Sequence, residues 1–210
     1  VRSRRQRQMC IRDSIRTPLN VVVGFAELLT ESKELTAEAK AEYGKMIQEN
    51  AENLLKYVNS ILELSRLESG KTQYVQEACE VIALCRKEMS IAEQAGNGHI
   101  NIRLKTDIEN LMISTDKNWF SSLLSSLLVP SENDGDTYNI VIRIRHDAEK
   151  NMLFFRVIGT PLAKVRFENK TALIRHEINA HFIHAFGGIY KVQADTSEGP
   201  LVSFSIQVND

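Results

Sequence analysis

Four groups of side chains in this sequence are of types that can do chemistry, and their spacing decides what each could do. Near the start, Thr17 lies four residues after Asp13, so a helix would put both on one face, with Arg16 and Asn20 as polar neighbours. Read from the residues alone, that face is the solvated side of an amphipathic helix. Near the end, His176, Glu177 and His181 invite comparison with a zinc hydrolase. Such a site needs its histidines four apart on one helical face. Here they are five apart, about 140° round a helix of 3.6 residues per turn, so no metal site is expected. His181 and His184 share a face but bring no third ligand, and packing or surface roles suit them better. Between these groups, Ser121, Ser122, Ser125 and Ser126 offer hydroxyls with no base nearby in sequence, which gives a hydrolase no support. Cys79 and Cys85 are too few and wrongly spaced for a metal, and fit a reducing compartment.

The elements that must hold these residues follow from periodicity. Ile15, Leu19, Val22, Ala26 and Leu29 step by four and three, an apolar helical stripe that Val21, Phe25 and Leu28 widen. Pro18 lacks an amide proton and should kink this helix one turn back. The polar stretch Glu31 to Glu34 ends it, and Thr36, with Glu38 in the first turn, starts a second helix. There Tyr43, Ile47, Asn50, Leu54, Tyr57, Ile61 and Leu64 keep a/d spacing, a coiled-coil-like seam whose polar member, Asn50, would set register. Ser69-Gly70 closes the helix. Two helices cannot bury stripes this wide alone, so residues 15–68 are expected to pair with a second copy as a four-helix bundle, a homodimer.

After Gly70 the pattern becomes mixed. A helix is expected over Cys79 to Ala95, then strands over Ile100 to Leu104 and Leu111 to Ser114. Asp116 should cap a helix running to Leu128, with strands over Tyr138 to Arg145 and Met152 to Val157. A helix from Asn169 to Phe186, closed by Gly187-Gly188, precedes strands over Ile189 to Gln193 and Leu201 to Val208. This order implies an α/β sandwich with helices on one face, making the whole chain α+β. The apolar fraction, 43%, supports a packed core. A formal charge of -1 gives no support for nucleic-acid binding. No apolar run is long enough for a membrane span, and the arginine-rich start lacks the apolar stretch of a signal peptide.

The run Ile15-Arg16-Thr17-Pro18-Leu19-Asn20, followed by the apolar segment Val21 to Leu29, resembles the phosphoacceptor box of two-component sensor histidine kinases, which reads HEIRTPLN. Further matches are Met112 to Asp116 with the following helix, Phe186-Gly187-Gly188-Ile189 before a strand, and Leu201 to Ile206 as a closing strand. The resemblance implies an antiparallel helical hairpin over 15–70, half of a dimeric four-helix bundle, then an α/β sandwich of the histidine-kinase/Hsp90-like ATPase type over 71–210. It implies Mg-ATP as the family's cofactor and a response-regulator receiver domain as partner. It gives Thr17 a part in positioning water for dephosphorylating that partner, with Arg16, Pro18 and Asn20 in support. It also implies a cytoplasmic transmitter, tied to a membrane only through a region before this sequence.

The chain departs from the family in two places. Asp13 stands where the phosphorylated histidine belongs, and Ser14 where its acidic neighbour belongs. Arg4 to Ser14, RRQRQMCIRDS, resembles the translation of a transposase-type sequencing adapter. Residues 1–14 are therefore set apart from fold reasoning as an expected artefact. Without them the formal charge is about -5. The second departure lies far from that segment. The magnesium-binding helix motif N-L-L-x-N-A aligns with Ser126 to Ser131, with serine at one asparagine position and Pro130 at the other. Proline has no side-chain oxygen for a hard cation. The D-x-G-x-G box aligns with Ile158-Gly159-Thr160-Pro161, which keeps Gly159 alone. The G-x-G-L loop aligns with Leu173 to His176, which has no glycine to let the backbone approach phosphates. The acidic run Ser131 to Asp136 stands in place of the ATP lid. The expected protein is thus a pseudokinase transmitter that dimerises and engages a receiver domain, the alternatives being an active autokinase or a structural dimerisation scaffold.

Overall fold

Helix α1 (Arg4–Glu31) passes through Pro18, and α2 (Ala37–Glu68) follows it. The computed structural model describes residues 4–31, 35–70, 72–130, 135–164, 170–193 and 196–208, with side chains in α1 from Ile15 onward. The Thr36 hydroxyl accepts the Ala39 amide at 3.2 Å, so the expected cap starts α2. Gly70, at φ +66°, leaves the helix through a conformation that a side chain would strain. Phe25 and Tyr43 bring their rings to 5.1 Å across the pair. Tyr57 and Leu64 of the seam are buried, and its other five positions are half-buried. Asn50 donates to the Met46 carbonyl at 2.8 Å, within its own helix. The α1 stripe is only partly covered: Ile15, Val22 and Leu29 are half-buried, while Leu19 and Ala26 are exposed.

The chain divides into two compact units, Val1–Ser69 and Gly70–Asp210. In the second, β1 (Glu77–Glu80) pairs antiparallel with β3 (Met112–Thr115). A five-stranded sheet has the order β2-β4-β5-β7-β6. Its members are β2 (Ile100–Lys105), β4 (Tyr138–Asp147), β5 (Met152–Ile158), β6 (Tyr190–Gln193) and β7 (Leu201–Gln207). Only the β2–β4 pairing is parallel. The helices are α3 (Val81–Ala95), α4 (Lys117–Leu128), the short α5 (Pro161–Lys164) and α6 (Lys170–Ala185).

Alternation decides where the core sits. Ile140, Ile142 and Ile144 of β4, Leu153, Phe155 and Val157 of β5, and Val202, Phe204 and Ile206 of β7 are all buried. Phe155 stacks on Phe204 at 4.5 Å, and Phe120 of α4 meets both edge-on. Trp119 stacks against Phe182 of α6 at 6.3 Å, with Tyr74 edge-on to it, so the tryptophan is packing within this unit. The expected α/β sandwich is present, with three differences of detail.

Cys79 lies in β1, opposite Ile113, and the helix begins two residues later than expected. The cause is Glu80. Its carboxylate accepts the amides of Ile82, Ala83 and Leu111, capping α3 and tying it to the approach to β3. Burial opposes the charge, yet those three amides hold the Glu80 carboxyl below its usual range. Ile91 is 48% exposed and does not join the core. Helix α5 had no counterpart among the expected elements. No helix among the described residues is long and apolar enough to cross a membrane.

Candidate functional site

Asp116 fixes the helix that carries Ser126. Its Oδ1 accepts the Asn118 and Trp119 amides, both at 3.1 Å, and its Oδ2 accepts the Val75 amide at 2.9 Å. One buried carboxylate thus caps α4 and pins the segment leading into the unit. Nine residues into that helix, the Ser126 hydroxyl donates to the Leu123 carbonyl at 2.7 Å. It accepts Asn179 Nδ2, reaching over from α6, at 2.9 Å. Asn179 is 2% exposed, so its amide needs partners inside the protein.

Those partners form a directed chain. Asn179 Nδ2 also lies 3.5 Å from the Tyr190 hydroxyl, which is 2.8 Å from His176 Nδ1. His176 Nε2 faces the Leu162 carbonyl at 3.3 Å. A carbonyl only accepts, so the histidine carries its proton on Nε2 and takes the tyrosine proton on Nδ1. Burial keeps the imidazole neutral, lowering its pKa to about 4, with the Leu162 carbonyl acting weakly the other way. Burial likewise pushes the Tyr190 hydroxyl far above its ordinary value. Every proton in the network has an acceptor, and the groups span α4, α5, α6 and β6.

The other aligned positions also serve packing. Gly159, at φ +74°, passes close to β4; a Cβ there would meet the Asn139 carbonyl oxygen at 2.5 Å. Its amide donates to the Pro200 carbonyl at 2.8 Å. The glycine is therefore required by the fold itself. Thr160 is fully buried, and its hydroxyl donates to the Leu127 carbonyl near the end of α4. Pro130 is half-buried just past Val129, the last cap of that helix. Leu173 to His176 lie within α6, so the segment aligned with a phosphate loop is helical. Of the run read as a shortened lid, residues 131–134 lie outside the described residues.

In the hairpin, Asp13 falls in α1, and its side chain lies outside the described residues. Arg16, Thr17 and Asn20 are exposed and Pro18 is half-buried, so the polar group shares an accessible stretch of helix. Burial raises both Cys79 and Cys85 thiols, Cys85 to about 12, which leaves the latter protonated and unreactive at neutral pH. His181 and His184 are exposed, and His184 Nδ1 lies 3.1 Å from the Gly188 carbonyl.

Sequence reasoning rejected His176 as a metal ligand, assigned it no other role, and passed over Asn179 and Tyr190. An asparagine between Ile178 and Ala180 inside a helix was the available signal. It was faint because α6 shows no single apolar stripe against which a polar intruder would stand out.

Comparison with known proteins agrees with this layout. Residues 10–70 match the His Kinase A (phospho-acceptor) domain. An uncharacterized sensor-like histidine kinase of Rhizobium meliloti is 28% identical over 119 residues, covering 54% of this chain and 22% of that protein. The chain therefore spans about a fifth of that relative's length. The histidine kinase ThkA, solved in complex with the response regulator TrrA, superposes with a TM-score of 0.72 at 17% identity, over 96% of this chain and 61% of that one. The histidine kinase AdeS of Acinetobacter baumannii gives 0.68 at 15% identity, over 93% and 97%. At such identities the two structures speak for the fold.

Proposed function

This chain belongs to the two-component sensor histidine kinases, and from that premise we propose that it is a transmitter with a disabled nucleotide site. Its hairpin would dimerise and meet a response-regulator receiver domain at the face of Arg16, Thr17 and Asn20, while the α/β unit would no longer hold Mg-ATP. The observation that carries this reading is the Asn179–Ser126 bridge at 2.9 Å. It ties α6 to α4 at the position where the family's magnesium helix presents an asparagine. Support comes from Pro130, which offers no oxygen to a cation, and from a helical segment where phosphates would need glycine amides. Phosphoryl transfer depends on positioning and charge neutralisation, and these residues supply neither. Asp13 cannot replace the imidazole nucleophile, and we read residues 4–14 as foreign to the source gene. The transmitter would work in the cytoplasm.

The test restores the acceptor and asks whether the nucleotide site can use it. The chain and its Asp13→His variant are incubated with Mg-ATP labelled at the γ-phosphate. Neither should take up acid-labile label, and sedimentation should give a dimer. Labelling of Asp13→His would make this an autokinase that lacks only its acceptor.

A further inference from the structure

The sheet face turned away from the helices carries a charge pattern that nucleotide or receiver binding does not explain. Strand register sets four cations in one row across all five strands. Lys105 on β2 stands opposite Arg143 on β4, and Arg143 opposite Arg156 on β5. Arg156 stands opposite Ser203 on β7, and Ser203 opposite Lys191 on β6. At about 4.8 Å per strand the row is roughly 19 Å long. Like charges directly opposite one another weaken a sheet, and this chain has a formal charge of -1 overall. A basic row in such a chain is a local concentration.

One anion answers the two central cations. Glu198 sets Oε1 2.8 Å from Arg143 Nη1 and Oε2 3.0 Å from Arg156 Nη2, so a single carboxylate bridges opposed guanidiniums. Its turn is built to hold it there. The Thr196 hydroxyl donates to the Gly199 carbonyl, the Glu198 amide donates to Thr196 Oγ1 at 3.3 Å, and Gly199 adopts φ +95°. Lys105 and Lys191, at the ends of the row, are exposed.

We propose that this row docks an acidic segment of a partner protein, and that Glu198 is an internal carboxylate which such a segment displaces. An extended chain at about 3.3 Å per residue would cover the row with roughly six residues. The chemistry favours a peptide because the ligand the two arginines already hold is a glutamate side chain. Single-stranded nucleic acid needs bare aromatic faces for its bases. Here the flanking ring, Phe154, is covered by Arg145 at 5.6 Å.

The probe is a fluorescein-labelled octaglutamate peptide, followed by anisotropy against the full chain at low salt, with an octaglutamine peptide as control. Octaglutamate should bind saturably and octaglutamine should not. Arg143→Ser with Arg156→Ser should weaken binding at least about tenfold, and Glu198→Gln, which frees both guanidiniums, should tighten it about threefold or more. Thermal melts check folding. If the arginine variant melts early, Lys105→Ser with Lys191→Ser, changed only at exposed ends of the row, should still weaken binding. Absence of saturable binding in both the unmodified chain and Glu198→Gln would overturn the proposal, as would full binding by the lysine variant. Tighter binding of oligothymidylate or anionic vesicles, lost in the same variants, would also overturn it by giving the row to another class of partner. None of these outcomes depends on whether ATP binds.

Discussion

The α/β unit buries many large apolar side chains completely, while leaving Val75, Ile91, Met112 and Ile189 exposed; among its described residues the hairpin buries none so fully. Leu19, Val23, Leu28, Met46, Leu55 and Leu62 are all exposed on the two long helices, Leu55 by 62%. The twelve largest fully buried side chains all belong to residues 70–210. The difference teaches that the two halves are incomplete in different ways. The hairpin lacks a partner surface, which a second copy would supply. The α/β unit has its own buried core, and its departures from the motifs it aligns with include Ser126, Pro130 and Leu173 to His176.

The strongest way to sharpen that contrast is to damage one half alone. Phe120→Ala removes a fully buried ring that meets both Phe155 and Phe204, and should cost the α/β unit about 3–5 kcal/mol in urea denaturation. Helical signal from the hairpin should survive at denaturant concentrations that unfold the mutant unit. Persistence of one joint transition would mean the halves do not fold separately.

The converse change is Leu55→Glu with Leu62→Glu. Both residues are exposed in the single chain, so the fold should tolerate the charges. If these faces are buried between copies, sedimentation velocity should show dimer affinity down at least about a hundredfold. A dimer unchanged by both charges would place the contact elsewhere.

A smaller effect probes the buried network through pH. His176 is neutral in the folded protein with a pKa of about 4, against an ordinary value of 6.5. The unfolded chain therefore binds the proton first. Stability is fully present above about pH 6.5 and falls as pH drops toward 4. About 2 kcal/mol should be gone by pH 5. His176→Gln should flatten the melting profile between pH 7 and 5. Parallel profiles for mutant and unmodified chain would mean the ring is not held neutral. The smallest change, Thr36→Ala, removes the α2 cap and should cost about 1 kcal/mol in the hairpin, leaving the α/β transition in place.

Legibility in the sequence followed the distance over which each feature is decided. Thr36 and Asp116 cap helices through amides two or three residues away, and Gly70 and Gly187 end helices by their own backbone angles; all four could be read directly. Strand β1 escaped notice because it exists only through its pairing with β3, more than thirty residues on. Glu80 hid for the same reason, since one amide it accepts belongs to Leu111. At the candidate site the sequence indicated which positions lack the residues of the motifs they align with. It did not indicate what took their place, because Asn179 meets Ser126 across 53 residues of chain. A hydrogen bond of that span leaves no local pattern.

The central claim is that the groups between α4 and α6 satisfy one another and leave no grip for a triphosphate. The most direct test is a thermal shift of the full chain with Mg-ATP. The account predicts no change in melting temperature at millimolar nucleotide. A saturable stabilisation of about 2–3 kcal/mol, as a site filled a hundredfold above its Kd would give, would contradict it.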